Sequence, residues 1–249
     1  MTTSDTTPTW ARMRQVIVAT NEIEADTKAL RSAFQLGEGF HDPELGEVAM
    51  ADHTFTLADM SYLQLVTSLD PGDSLGRWTA RIGGRGGYAL SIQHPDPAGV
   101  RARAQELGVR VIFDQVVLGH PIVQLHPKDA VILLEADGIA DPGVWFWDDM
   151  GEQSQPSSDA LVDAVVAVRV PVPDPGAMGE LWHNLLGLTP GSDPSVLDMG
   201  GPQLRFVTGD DSQRWTITLR RAAGAGTLRS DVVPGITFDF VDDIIGVAG

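Results

Sequence analysis

The sequence predicts an α+β fold of tandem βαβββ modules whose mixed sheets curl into a barrel-like cup. Three stretches of the chain resemble one another, opening at Gln15, Ala89 and Ala167, roughly 75 residues apart. Each begins with a short β-type run and passes through an acidic or proline-containing turn into a segment with helical spacing that ends in Leu-Gly. Short strand-like runs follow each helical segment.

The helix starts of the second and third units are marked by Asp-Pro pairs. Asp96 and Asp174 precede Pro97 and Pro175. A carboxylate at the N-cap accepts hydrogen bonds from free N–H groups of the first turn, and proline at the next position loses no donor. We therefore expect helices to begin at both prolines.

The runs that follow the helices define the units and the domains. Residues 47–51, 53–57 and 61–67 are predicted as the three strands of the first unit, and a fourth opening is predicted at residues 235–243. The predicted organisation is a pair of units over residues 11–140, a linker over 141–160, and a third unit with a truncated fourth over 161–249.

Strand alternation predicts which side chains face the inside of the cup. If Val16 and Val18 pack on the helix, Gln15 faces inward, and Tyr62, Gln64 and Glu135 do so on other strands. We expect two half-shells to close face to face, so that Gln15, Gln64 and Glu135 converge.

Composition excludes several classes of protein. The 249 residues carry 34 acidic and 17 basic side chains, for a net charge of −17, which argues against binding nucleic acid or an anionic membrane surface. The absence of cysteine excludes disulfides, thiolate zinc sites and a cysteine nucleophile. With no apolar run of the roughly 18–20 residues that a bilayer requires, we expect a globular cytoplasmic protein.

The chain resembles the vicinal oxygen chelate superfamily of glyoxalases, bleomycin-type resistance proteins, extradiol dioxygenases and methylmalonyl-CoA epimerases, in particular its glyoxalase-like group. The resemblance covers residues 13–137 and extends to 161–220. It is carried by RQVIVATNEIEAD, SYLQLVTS, GGRGGYALSIQ, RARAQELGVRV and LHPKDAVILLEAD. In the last stretch, the His-Pro-Lys run from His126 followed by Glu135 looks like the strand end before the metal-binding glutamate of the epimerases.

The resemblance implies a metal site at Gln15, Gln64, Ala89 and Glu135. Gln15 is an accepted variant, but Gln64 replaces the usual glutamate and Ala89 replaces the usual histidine or glutamine. The implied metal ligands are therefore Gln15, Gln64 and Glu135, for a divalent ion such as Zn, Ni, Mn, Fe or Co. No nucleotide cofactor is expected. In the third unit, the equivalent positions Ala167 and Thr218 offer no ligand.

Two histidines compete for the missing ligand position. A two-residue turn at Ala58-Asp59 would place His53 opposite Gln64, whereas a three-residue turn would point His53 away. His126 lies on the strand beside Glu135, as does Gln124, and both side chains are candidates to point inward.

Two functions remain open from the sequence. The first is a lyase or isomerase, such as an epimerase, that transfers a proton beside a carbonyl of a small oxygenated compound. In it, Glu135 acts as base or metal ligand, His53 or His126 as second acid/base, and Gln15, Gln64, Tyr62 and Gln124 bind substrate. The alternative is a non-catalytic binding protein of the resistance type, with a degenerate metal site. A homodimer is expected in either case.

Overall fold

The structure is a computed structural model that describes residues 9–42, 45–147 and 154–242. The strands described there form two mixed, open sheets. Sheet A contains β1 (Arg12–Thr20), β2 (Met50–Thr56), β3 (Tyr62–Ser68), β4 (Arg85–Gln93), β5 (Val111–Val117), β6 (His120–Leu125) and β7 (Leu133–Asp137). Sheet B contains β8 (Val162–Val172), β9 (Val196–Asp198), β10 (Gln203–Thr208), β11 (Thr216–Arg221) and β12 (Thr237–Val241). The helices are α1 (Ile23–Phe34), α2 (Ser74–Arg81), α3 (Pro97–Glu106), α4 (Pro127–Ala130) and α5 (Pro175–Leu186).

The predicted helix starts in the second and third units are confirmed. The Asp96 side chain accepts a hydrogen bond from Gly99 N at 2.9 Å, and the Asp174 side chain accepts one from Ala177 N at 3.0 Å. Each cap is followed by proline at the first helical position. Within the described ranges, no helix is long and apolar enough to cross a membrane.

The first unit has two strands after its helix, not the predicted three. Residues 47–51 do not form a separate strand, because Leu45–Val48 is a turn of 3₁₀ helix and Ala49 follows it with a φ of 56°. A left-handed residue breaks the extended backbone that a strand requires. The chain then enters β2, which joins two of the predicted runs.

The first two units join edge to edge. β1 pairs in parallel with β3 and antiparallel with β4, giving sheet A the order β2-β3-β1-β4-β7-β6-β5. The expected closure of two half-shells face to face is wrong, because the β1–β4 hydrogen bonds fuse both units into one sheet. The shared sheet still directs their inner side chains to one common face.

Sheet B repeats this plan in shortened form. β8 pairs in parallel with β10 and antiparallel with β11, as β1 does with β3 and β4. β12 then pairs in parallel with β11, as β7 does with β4. The predicted strand at residues 235–243 is therefore the last strand of the fourth unit and not its opening, since β11 holds the opening position.

One apolar core joins both halves of the chain. The buried cluster combines side chains of β1, β4, α1 and α3 with those of α5 and sheet B. The Phe34 ring of α1 lies edge-on to the Phe238 ring of β12 at 5.2 Å, and Trp182 of α5 donates a hydrogen bond to Ala130 O at 3.0 Å. The helices therefore pack against both sheets, and they leave the opposite face of sheet A for other contacts.

Candidate functional site

The inner face of sheet A is the face turned away from α1 and α3. Val16 and Val18 pack in the core with Leu30 of α1. Because side chains alternate along a strand, Gln15 and Ile17 point to the inner face.

Strand pairing places a row of polar side chains across this inner face. Gln15 on β1 lies opposite Ser91 on β4, and Ser91 lies opposite Glu135 on β7. Glu135 in turn lies opposite Gln124 on β6. With neighbouring strands about 4.8 Å apart, the backbones at Gln15 and Glu135 are separated by about 10 Å.

The two glutamines of the first unit contact each other and are covered. Gln15 Nε2 donates to Gln64 Oε1 at 3.3 Å, and Gln64 Nε2 donates to Asp52 Oδ2 at 3.0 Å. Thr54 Oγ1 donates to the same Asp52 oxygen at 3.0 Å. Gln15 and Gln64 are each 4% exposed, and Asp52 is 2% exposed. This part of the inner face is a buried, internally hydrogen-bonded network.

Glu135 lies at the open part of the inner face, which we define as Glu135, Gln124, Phe113 and Gln115. All four side chains keep solvent exposure. Burial raises the pKa of Glu135, hydrogen bonds from Gln124 and Ser91 oppose this shift, and the nearby charge of Asp42 adds to it. Gln124 Nε2 donates to Glu135 Oε2 at 2.5 Å. One oxygen of the carboxylate is thus held by an amide.

Asp137 lies behind Glu135, two residues along β7. It is 1% exposed, its Oδ2 accepts a hydrogen bond from Ser91 Oγ, and its Oδ1 has no hydrogen-bond partner within the described residues. Burial raises the pKa of Asp137 well above its ordinary value, and the Glu135 charge raises it further. Ser91 therefore connects two carboxyl groups that compete for protons.

The hydroxyl group of Tyr88 interacts electrostatically with the charge of Glu135. Burial, and then the charges of Glu135 and Asp73, raise the pKa of Tyr88 to about 12. Its ring packs against Trp78 of α2 with 5.4 Å between the centroids. The hydroxyl stays protonated at neutral pH and is available as a hydrogen-bond donor.

His53 lies on the opposite face of sheet A. It pairs with Leu65, whereas Thr54 occupies the position opposite Gln64. The turn contains three residues, 58–60, since Leu57 N bonds to Ser61 O at 2.9 Å, and Met60 adopts a φ of 61°. His53 Nε2 instead lies 2.9 Å from Glu38 O. Of the two turn lengths considered, the structure has the one that points His53 away.

His126 caps a helix. It follows the last residue of β6, and its Nδ1 accepts a hydrogen bond from Lys128 N at 3.0 Å at the start of α4. Burial lowers the pKa of His126, and the neighbouring Arg110 lowers it further. The Nδ1 atom is therefore committed to the backbone of α4.

Aromatic side chains cover one end of the inner face. Tyr62, predicted to bind substrate, is 0% exposed, and its ring lies edge-on to Trp147 at 5.2 Å. Trp145 and Trp147 from the linker pack with Phe40 and Tyr62 in one cluster. The linker thus seals the inner face above Tyr62.

Helix α2 covers the other end. Leu75 and Trp78 pack with Ile17, Ala89 and Leu133. The Asp73 side chain accepts a hydrogen bond from Gly76 N at 2.6 Å and thereby caps the helix. The residues of the open part of the inner face keep solvent exposure.

The described residues do not fit the metal site implied by the resemblance. They contain no group of three or more His, Asp or Glu side chains placed to hold an ion. Gln15 and Gln64 bond to each other, and Ala89 offers no donor atom. With two amides and one carboxylate, the donor set is poor in the charged or imidazole ligands that divalent ions prefer.

Six residues of this site were not predicted from the sequence: Asp137, Ser91, Asp52, Tyr88, Phe113 and Gln115. Asp137 follows Glu135 by two residues, so the alternation rule applied to Glu135 also points Asp137 inward. Ser91 stands in the same relation to Ala89. The face to which Asp52 points depends on the length of the β2–β3 turn, which the sequence did not determine.

Sheet B holds different residues at the equivalent positions. Thr218 lies opposite Ala167 as Ser91 lies opposite Gln15, so the expected equivalence of Thr218 with Gln64 is wrong. Arg205, paired with Arg169, takes the place of Gln64. The residue equivalent to Gln64 changes from Thr218 to Arg205 because β11, which carries Thr218, belongs to the fourth unit and not to the third.

No protein-family model and no curated protein matches the chain. Solved structures similar to it include methylmalonyl-CoA epimerase from Mycobacterium tuberculosis, with 17% identity, a TM-score of 0.44, and coverage of 51% of this chain and 86% of that one. A methylmalonyl-CoA epimerase in complex with methylmalonyl-CoA and NH4+ has 24% identity and a TM-score of 0.45, with coverage of 51% and 94%. A hypothetical protein from Bacillus halodurans C-125 has 17% identity and a TM-score of 0.44, with coverage of 51% and 93%.

The epimerases belong to the vicinal oxygen chelate superfamily, which the sequence resembles. The similarity concerns the fold of about half of this chain, and it gives no residue of the chain a role.

Proposed function

We propose that the protein binds a small carbonyl compound at the open part of the inner face and transfers a proton at the carbon beside the carbonyl. The observation that supports this most is the position of Glu135. The residue is partly exposed, burial raises the pKa of its carboxyl group, and a neighbouring amide donates a hydrogen bond to it. A carboxylate with a raised pKa is suited to accept and return a proton near neutral pH.

The roles of the neighbouring groups follow from their hydrogen bonds. Gln124 donates to Oε2 of Glu135, and we assign to Oε1 the acceptance of the proton from carbon. The protonated hydroxyl of Tyr88 would donate to the carbonyl oxygen as negative charge develops there. The proton held by the partly exposed Glu135 exchanges with water before a proton returns to carbon, and this return regenerates the carboxylate without consuming another reactant.

CoA thioesters of carboxylic acids are the substrate class to test first. Their α-hydrogens are acidified by the thioester carbonyl, and one similar solved structure is described as a complex with methylmalonyl-CoA. No step of this proposal passes through a metal ion.

Solvent-hydrogen exchange tests the proposal directly. Methylmalonyl-CoA and related thioesters are incubated with the protein in D₂O, and loss of the α-proton signal is followed by NMR. We expect exchange by the wild-type protein, and a loss of about 100-fold or more in Glu135→Gln.

The control is Glu106→Gln, the same chemical change at an exposed position on α3. It should leave exchange unchanged. Equal exchange by wild type and E135Q would remove Glu135 from the reaction.

A non-catalytic binding protein is the second candidate. It is favoured by the buried network, in which Gln15, Gln64 and Asp52 bond to one another and offer few groups to a reacting substrate. Stoichiometric binding of a thioester, measured by calorimetry, without exchange in any tested compound would support this alternative.

A further inference from the structure

Strand β5 is an edge strand of sheet A, and no part of the described chain pairs with its outer edge. It stands last in the strand order, next to β6 alone. An edge strand presents a row of free backbone N–H and C=O groups, which is a template for pairing with another strand.

The other edges are covered or short. Phe40 forms a bridge with Thr54 of β2, with hydrogen bonds of 3.0 and 2.8 Å. Phe238 N of β12 bonds to Ser230 O at 2.9 Å, and β9 has three residues. Among the described strands, β5 thus combines seven residues with a bare edge.

The side chains along β5 are apolar and exposed. Val116 is 69% exposed, Leu118 in the following turn is 62% exposed, and Ile112 is 47% exposed. Lysine and proline, which guard many edge strands, are absent from β5. Its one charged residue, Asp114, is paired with Arg101 of α3 at 2.7 Å.

We propose that β5 pairs antiparallel with β5 of a second copy of this chain, about a two-fold axis at Gln115. This register sets Phe113 opposite Val117 and Ile112 opposite Leu118, which are apolar pairs, and it sets Asp114 opposite Val116. Gln115 meets itself as a hydrogen-bonding amide pair. The alternative axis at Asp114 would set two carboxylates opposite each other, which is unfavourable.

The self-complementary register is the reason for choosing a second copy as the partner. A two-fold interface must match its own surface, and the β5 sequence does so on the inner face, where Phe113 meets Val117 and Gln115 meets itself. Phe113 lies opposite Gln124 on the inner face, so the second copy would place its Val117 beside the open part of the inner face. The inference does not depend on the proposed function.

Light scattering coupled to size exclusion tests the pairing. We expect the wild-type protein to be dimeric and Val116→Asp to be monomeric, because the new carboxylate would lie opposite Asp114 of the second copy and the two like charges repel. Leu69→Asp is the matched control, since Leu69 is 61% exposed outside β5 and its replacement should leave the dimer intact. Because each copy carries a net charge of −17, added salt should strengthen the dimer.

A cysteine substitution locates the axis. The chain contains no cysteine, so Gln115→Cys introduces a single thiol at the proposed axis. We expect this variant to form a reducible covalent dimer under mild oxidation, while Leu69→Cys stays monomeric on denaturing gels.

A wild-type monomer at all accessible concentrations would overturn the proposal. So would a dimer that persists in V116D together with cross-linking of Q115C no faster than that of L69C, because copies would then meet through another surface.

Discussion

Glu135 and Asp137 occupy alternate positions on one strand, yet their surroundings differ. Glu135 keeps solvent exposure and an amide partner, whereas Asp137 is buried and receives a hydrogen bond from Ser91. The alternation rule brings both side chains to the inner face from sequence alone. It does not give their burial, which depends on the linker and on Ser91 from another strand.

Asp137 should make stability depend on pH. Its pKa is raised in the folded chain, so above the unfolded value the folded state holds a proton that the unfolded state has lost. The free energy of unfolding therefore falls as pH rises through this window, by up to about 1.4 kcal/mol per pH unit. Asp137→Asn accepts the Ser91 hydrogen bond without titrating, and we expect it to gain stability relative to wild type as pH rises.

Urea unfolding at about pH 4, 6 and 8 measures this difference. Asp210→Asn, at an exposed site, controls for the removal of one charge from an acidic chain. If wild type and D137N show parallel pH profiles, the raised pKa is refuted.

The elements differ in how far local sequence determined them. Asp96 and Asp174 predicted two helix starts correctly, because a cap and the following proline act within one turn. The face of His53 could not be predicted, because it depends on one residue in the length of the β2–β3 turn. At α2, Pro71 and Gly72 indicate a turn, and the Asp73 cap follows them directly at the start of the helix.

The cap of α2 gives a prediction at the scale of the element. Asp73→Ala should destabilise the protein by about 1 kcal/mol, because Gly76 N loses its acceptor in the first turn. Ser74→Ala changes the neighbouring residue and removes no cap, so it should have little effect. Thermal unfolding of both variants tests this, and an equal loss in the two would show that Asp73 is not the cap.

In the whole molecule, the two sheets pack in close contact at Gly87 of β4. A Cβ atom at this glycine would lie 1.9 Å from the Trp215 ring, at the start of β11. The chain repeats its unit in both halves, which the sequence predicted, but repetition gives no information about how the halves pack. That arrangement depends on contacts such as Gly87 with Trp215, which are distant in sequence.

Gly87→Ala should destabilise the protein by about 1–3 kcal/mol, because Trp215 must move out of a packed core. Gly226→Ala is the control, since an added Cβ meets no atom within 4 Å there. Both halves should still unfold in one transition by circular dichroism and tryptophan fluorescence, because they share one core. Two separate transitions in the wild type would contradict a shared core.

The proposed function requires a ligand to bind at the open part of the inner face. Side-chain amide NMR during titration with methylmalonyl-CoA measures this directly, because each assigned glutamine reports on its own surroundings. We expect Gln124 and Gln115 to shift strongly and the buried pair Gln15 and Gln64 to shift little. If binding shifts the amide signals of Gln15 and Gln64 and leaves that of Gln124 unchanged, the ligand does not bind at the open part of the inner face.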